Sequence, residues 1–165
     1  MFMRKIALVV LLLSLLVIPS VVQAKSGSAV IPFYYFHRNS AYSDVTKSIF
    51  YISNITDQLI SVNVTLFSYD GTIYKVASGD HVNIYNTNSY NLNNINSTIS
   101  FELNPNTTTY MVFSTDLNLK RYGYGVIEWT QDSNNTYGLV ASGSFLHSEP
   151  TVSRFALQIN EGMPF

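Results

Sequence analysis

The residues able to do chemistry are few and scattered. Three histidines stand at His37, His81 and His147, none near another in sequence, and the chain has no cysteine. Structural zinc sites are recognised by short ligand spacings, so the sequence points to no metal and no cofactor. Among the carboxylates, Glu102 and Glu128 fall in strand-like runs, and Asp116 and Asp132 fall in polar connectors. A glycosidase holds two carboxyl groups across a cleft at fixed separation. Glu128, beside the single tryptophan Trp129, is the candidate to weigh. The simpler reading places it on a solvated strand face or pairs it with Arg121 or Arg154. Ser142-Gly143-Ser144 sits within a strand-like run, the wrong context for a nucleophile elbow. No phosphate loop or dinucleotide fingerprint occurs. The sequence therefore supplies no catalytic set, and the expectation is a protein that is not an enzyme.

Binding chemistry is better represented. The chain has 12 tyrosines and one tryptophan. Tyr85 and Tyr90 lie in an Asn-rich stretch, while Tyr122, Tyr124 and Trp129 lie in one glycine-punctuated run. An aromatic ring beside an amide can stack on a sugar and hydrogen-bond to it. These five residues are the candidate ligand-binding set, against the competing reading that tyrosines cap sheet edges. Five Asn-x-Ser/Thr acceptor patterns also occur, at Asn54, Asn63, Asn96, Asn106 and Asn134. In a chain rich in Asn, Ser and Thr such matches arise by chance. Asn63 falls mid-strand, and the loop sites matter only in a host that glycosylates exported chains.

These residues must be positioned by strands. Leu59–Tyr69 alternates strictly, with Ile60, Val62, Val64 and Leu66 on one face and Ser61, Asn63 and Thr65 on the other, the pattern of a half-buried antiparallel strand. Asp70-Gly71 is a two-residue turn signal, so 72–76 is expected to return as a partner strand. Ile99, Phe101 and Leu103 share a face, as do Phe155, Leu157 and Ile159, and all are expected inward. The stretch Tyr122–Leu146 reads as two β-rich runs about a polar turn, a hairpin signature. Gly123, Gly125 and Gly143 suggest bulges or bare backbone under a large neighbour. Residues 77–98 read as an Asn-rich loop excursion with one short strand near His81–Tyr85. Eight to ten short strands without helical periodicity predict an all-β, antiparallel β-sandwich, jelly-roll or immunoglobulin-like, in a single domain over residues 25–165.

The first 24 residues read differently. Arg4 and Lys5 precede an apolar run, Ile6–Ile18, and Val22-Gln23-Ala24 has the short side chains a signal peptidase reads. The run is shorter than the roughly 20 residues that span a bilayer, so the expectation is a signal peptide cut after Ala24. The expected location is extracellular or in the cell envelope, with no membrane span in the mature chain. The absence of cysteine fits an exported prokaryotic protein. Residues 25–165 carry seven basic against ten acidic residues, a net charge of −3. That disfavours nucleic acid as a partner. The most apolar mature run is Ala29–Phe36. Pro32 restricts it to pairing on one side, and Ile31, Phe33 and Tyr35 alternate along it. Such a strand can complete its own sheet or a neighbour's. The leading expectation is a secreted structural or surface protein, possible partners being further copies of itself through Ala29–Phe36. The alternative is a module that binds an extracellular glycan or other ligand.

Overall fold

The structure is a computed structural model describing residues 25–39, 44–87, 89–93, 98–132, 137–149 and 151–165. The expected leader and the acceptor motifs at Asn96 and Asn134 lie outside the described residues. The described residues form ten strands: β1 (Lys25–Asn39), β2 (Asp44–Asn54), β3 (Ile60–Ser68), β4 (Asp80–Tyr85), β5 (Tyr90–Asn93), β6 (Thr98–Leu103), β7 (Thr108–Thr115), β8 (Lys120–Gln131), β9 (Leu139–Glu149) and β10 (Thr151–Gln158). A short 3-10 turn, Asn160–Gly162, follows. No described helix is long and apolar enough to cross a membrane.

All the pairings are antiparallel. The main path runs β10-β9-β2-β1-β8-β3-β6-β5, with β7 branching from β2 and carrying β4. The sheet curls into a nearly closed, barrel-like wrap about one core. Phe50, Ile52, Met111 and Phe113 enter that core from β2 and β7. Ile60, Val62, Val64, Leu66, Ile99, Phe101, Leu103, Ile127 and Trp129 enter it from β3, β6 and β8. The strict alternation of Ile60–Leu66 therefore does what a period-2 pattern dictates.

Three expectations are corrected by edge availability. Tyr122–Leu146 is not a hairpin: β8 pairs with β1 and β3, whereas β9 pairs with β2 and β10. Both edges of β8 are already filled, so the chain leaves for the far part of the sheet. Residues 72–76 form no full strand. β3 is flanked by β6 and β8, which leaves room only for a single bridge, Phe67 to Ile73. The 77–98 stretch holds two strands, the expected one as β4 and a further one as β5.

β1 pairs with β8 from Lys25 to His37 and reaches β2 only at His37–Asn39. Over Ala29–Phe36 it is thus paired on one side, as Pro32 requires. A bulge falls between Ile31 and Tyr34. The extra residue flips the inward parity, so Ala29 and Ile31 point inward before it, and Tyr34 and Phe36 after it. Phe33 and Tyr35 consequently do not share a face with Ile31, contrary to the simple alternation. Gly123 lies opposite this irregularity. A Cβ there would stand 1.9 Å from the Phe67 carbonyl oxygen, so only glycine fits. The large neighbours over Gly125 and Gly143 are Leu66, Ile31 and Phe50.

Candidate functional site

The parity flip in β1 creates the most distinctive surface. Cross-strand registers align Thr46, Ser48 and Phe50 of β2 with His147, Phe145 and Gly143 of β9, and these with Ser153, Phe155 and Leu157 of β10. The Phe50 end of this face is core. Toward Thr46 the face is left partly open, and Phe33 and Tyr35 lean on it. The Phe33 and Phe145 rings meet edge to face at 5.5 Å, and Phe33 stacks on Tyr35 at 6.5 Å. Ser48 fixes the junction by donating to the Tyr35 carbonyl at 2.7 Å and accepting from the Tyr35 N–H at 2.9 Å. Phe33, Tyr35, Thr46, Phe145, His147 and Phe155 line a groove of about 260 Å3 with an almost wholly apolar wall. Phe155 is 61% exposed and Val152 70% exposed. The expectation that Phe155 belongs to the core is therefore corrected. Its strand overhangs the core, and only Ile159 further along is fully buried.

The groove abuts an ionisable cluster. Asp44 lies between two imidazoles, with Oδ2 3.6 Å from His37 Nδ1 and Oδ1 3.2 Å from His147 Nδ1. His147 Nδ1 is also 2.9 Å from Thr46 Oγ1. Burial, and then the Asp44 charge, raise the pKa of Tyr35 above the ordinary phenol value. Nearby, Asp116 accepts from Arg38 at 2.6 Å and meets His81 Nε2 at 2.7 Å. Those contacts, that with His81 foremost, hold its carboxyl below the usual range. Deeper in, the Asp80 side chain is 1% exposed and pairs with Arg121 at 3.3 Å. It also accepts from the Tyr74 hydroxyl and the Ala77 N–H. Burial, reinforced by Asp80, pushes the Tyr74 phenol far up, and burial does the same to Tyr34. Asp80 Oδ1 and the Tyr34 hydroxyl are buried without a hydrogen-bond partner among the described residues.

Two of the three histidines, His37 of β1 and His147 of β9, thus meet at Asp44 of β2, while His81 of β4 meets Arg38 of β1 at Asp116, links that sequence spacing could not reveal. Each imidazole faces a carboxylate. Among the described residues, no group of three or more His, Cys, Asp or Glu is arranged to hold a metal ion. The arrangement can share protons and clasp strands. Arg121, considered as a partner for Glu128, is engaged by Asp80 instead.

The sequence-derived ligand residues are dispersed. Trp129 is 1% exposed, with its ring against Gly27 and Gly138. A ring in the core cannot stack on an extracellular sugar, so Trp129 leaves the candidate set. Tyr85 stacks on Tyr110 at 4.5 Å, and Tyr110 in turn neighbours Tyr51 at 6.0 Å. Tyr122 stacks on Tyr69, and Tyr124 on Phe67, each at 4.9 Å. These are cross-strand ladders whose rings cover one another's faces. Tyr90 is half-exposed, and its hydroxyl donates to the Val82 carbonyl at 3.3 Å, drawing the β5 and β4 edges together. Glu102 and Glu128 lie on an open face with β3 between them, about 10 Å apart laterally from the strand spacing. Asp116 is at the histidine end. Glu102 instead shares a shallow polar depression of about 390 Å3 with Gln58, Gln131 and Asp132.

No protein-family model matches the chain, and no curated protein does. Among solved structures it is similar to the crystal structure of Thermotoga maritima 1070, at 14% identity and a TM-score of 0.47, covering 82% of this chain and 96% of that one.

Proposed function

We propose that the chain is a secreted, non-catalytic surface protein that associates with further copies of itself through β10 and the aromatic groove beside it. In this reading residues 1–24 are a leader removed on export. Residues 25–165 form one β-sandwich domain, with β4-β7-β2-β9-β10 as one layer and β1-β8-β3-β6-β5 as the other.

The observation that carries the reading is the uncovered face around Phe155. Among the described residues β10 is an edge strand, paired with β9 alone. It is eight residues long, and Val152 and Phe155 are exposed on it. Arg154 is its one charged side chain. Soluble proteins ordinarily blunt such an edge with charge, proline or a bulge. An antiparallel edge can pair with its own copy about a two-fold axis, because the same patch then serves both subunits. The aromatic groove offers sockets for the partner's apolar side chains. A glycan ligand has less support, since Tyr85, Tyr122 and Tyr124 stack on neighbouring rings of the chain and Trp129 is buried.

Sedimentation of exported protein tests the reading. Mass spectrometry should find Lys25 as its first residue. The sedimenting mass should rise with concentration, and Val152→Lys with Phe155→Lys should return it to the monomer while leaving the melting temperature unchanged at dilutions where the wild type is itself monomeric, because both side chains are exposed. A wild-type chain that stays monomeric at high micromolar concentration refutes the association.

A further inference from the structure

The fold sorts the acceptor motifs, and we infer that Asn106 is an N-glycosylation site and Asn54 is not. The inference rests on the proposed export, because the transferase and its donor lie outside the cytoplasm. Asn54-Ile55-Thr56 and Asn106-Thr107-Thr108 are identical in acceptor pattern and opposite in placement. The Asn54 carboxamide is 2% exposed, and its Nδ2 donates to the carbonyls of Gln58, Leu103 and Asn104 at 2.7, 3.1 and 3.0 Å. Its Oδ1 accepts from the Thr56 N–H and hydroxyl at 2.9 and 2.8 Å. A nitrogen so committed and so buried is closed to an enzyme.

Asn106 is exposed at the tip of the turn between β6 and β7, with φ of 53°. Asparagine tolerates this left-handed conformation, and it carries the side chain clear of the strands. The turn is held from behind by the Asn106 N–H on the Thr56 carbonyl at 3.1 Å and the Thr107 hydroxyl on the Asn104 carbonyl at 2.8 Å. Thr108, whose hydroxyl the acceptor pattern requires, is exposed at the first position of β7. Its hydroxyl is 2.8 Å from Ser53 Oγ, an exposed pair at the end of the β2–β7 ladder, so the hydroxyl is freed by fraying the first residue of β7. Asn63, the remaining described motif, is mid-ladder between β6 and β8 and accepts from Ser100 Oγ at 2.7 Å. Its backbone cannot be drawn out without opening three strands.

The donor is a polyprenyl-phosphate-linked oligosaccharide. Asn106 Nδ2 attacks C1 of the first sugar, and a C–N bond forms. The C1–O bond to the phosphate breaks, the lipid phosphate leaves with the electron pair, and the carboxamide gives one proton to the transferase base. This sorting requires that transfer act on the folded chain, where the Asn54 motif is closed by burial and by its hydrogen bonds.

The test is peptide mass spectrometry on protein purified from the medium of its native cells. The peptide holding Asn106 should carry a glycan mass, and the peptide holding Asn54 should carry none. Asn106→Gln and Thr108→Val should lose that mass completely, and Thr108→Ser should keep it. An exported chain beginning at Lys25 with a bare Asn106 overturns the inference and leaves the export reading standing. A glycan on Asn54 overturns the sorting by the fold. A chain found only inside the cell with Met1 intact overturns both.

Discussion

Asn54 is also the place where one substitution should cost most for its size. Its carboxamide joins the end of β2 to the 55–59 turn and to the β6–β7 connector through the five bonds described above. Asn54→Ala leaves the Thr56 N–H and the Leu103 carbonyl without these bonds in buried positions. The Gln58 and Asn104 carbonyls are only part-buried and can recruit water. The Thr56 hydroxyl keeps the Gln58 carbonyl at 3.2 Å and Gln131 Oε1 at 3.3 Å. Taking about 1.5 kcal/mol for each of the two buried groups and about 0.5 for each part-buried carbonyl gives a loss of about 4 kcal/mol. Against a total stability of about 5–15 kcal/mol that is a large fraction. Urea unfolding followed by Trp129 fluorescence reads it directly, since the single tryptophan is buried and becomes wet on unfolding. The midpoint should fall with an unchanged slope. Asn54→Asp should be worse at neutral pH, because a carboxylate oxygen then faces three carbonyls. Burial raises the pKa of that acid in the folded state, so the folded chain binds the extra proton and stability recovers as pH falls. A loss below about 1 kcal/mol for Asn54→Ala would show that the network does not hold the turns.

Two further predictions concern the acid limb and the core. The Asp116 carboxyl is held low by His81 and Arg38. Its contribution is therefore present above the ordinary carboxylate pKa and disappears as pH falls through the lower folded value. Melting curves of wild type and Asp116→Asn should differ at neutral pH and converge in strong acid, and a constant gap across the range would contradict the pairing. Val64 is fully buried between Ile99 and Ile127 in register. Val64→Asp should cost about 4 kcal/mol or more as an unpaired buried charge. Asn63→Asp, exposed and opposite Glu128, should cost under about 1 kcal/mol as a like-charge cross-strand pair. Equal unfolding midpoints for the two would mean the register of β3 is wrong.

What was legible in the sequence was the local pattern. Ile60–Leu66 and Ile99–Leu103 alternate, both are buried as the alternation demands, and Pro32 falls at a bulge on a strand paired on one side. What was not legible was competition for edges. The run after Asp70-Gly71 has strand composition but no free edge to join. Tyr122–Leu146 has hairpin composition, yet β8 is already flanked on both sides by β1 and β3. Face assignment failed for the same kind of reason. A single extra residue in β1 put Phe33 and Tyr35 on the opposite face from Ile31, with which they were expected to alternate, and made them groove walls, and an overhanging β10 left Phe155 outside. The meeting of His37 and His147 at Asp44 was invisible because the three come from three strands, and proximity created by topology leaves no trace in spacing.

The same geometry bears on which strand would carry self-association. β1 resembled a donor strand in sequence, apolar over Ala29–Phe36 and restricted by Pro32 to pairing on one side. In place, it fills its own fold: Ile31, Tyr34 and Phe36 are buried to 0%, 0% and 1% exposure. Withdrawing it would expose those side chains at about 2 kcal/mol each, some 6 kcal/mol in all before the ladder to β8 is counted. That loss is comparable to the whole stability of an ordinary domain. Donation of β1 therefore amounts to unfolding the donor. β10 would demand no such cost, because no strand among the described residues pairs with its outer edge and Val152 and Phe155 are already exposed. Association through β10 adds buried area and breaks nothing. Deleting residues 25–36 should accordingly abolish folding, whereas the paired lysine substitutions at Val152 and Phe155 should abolish only association. If the deletion instead leaves a folded monomer that an added peptide of residues 29–36 stabilises, β1 is the exchanged strand, and the β10 assignment falls with it.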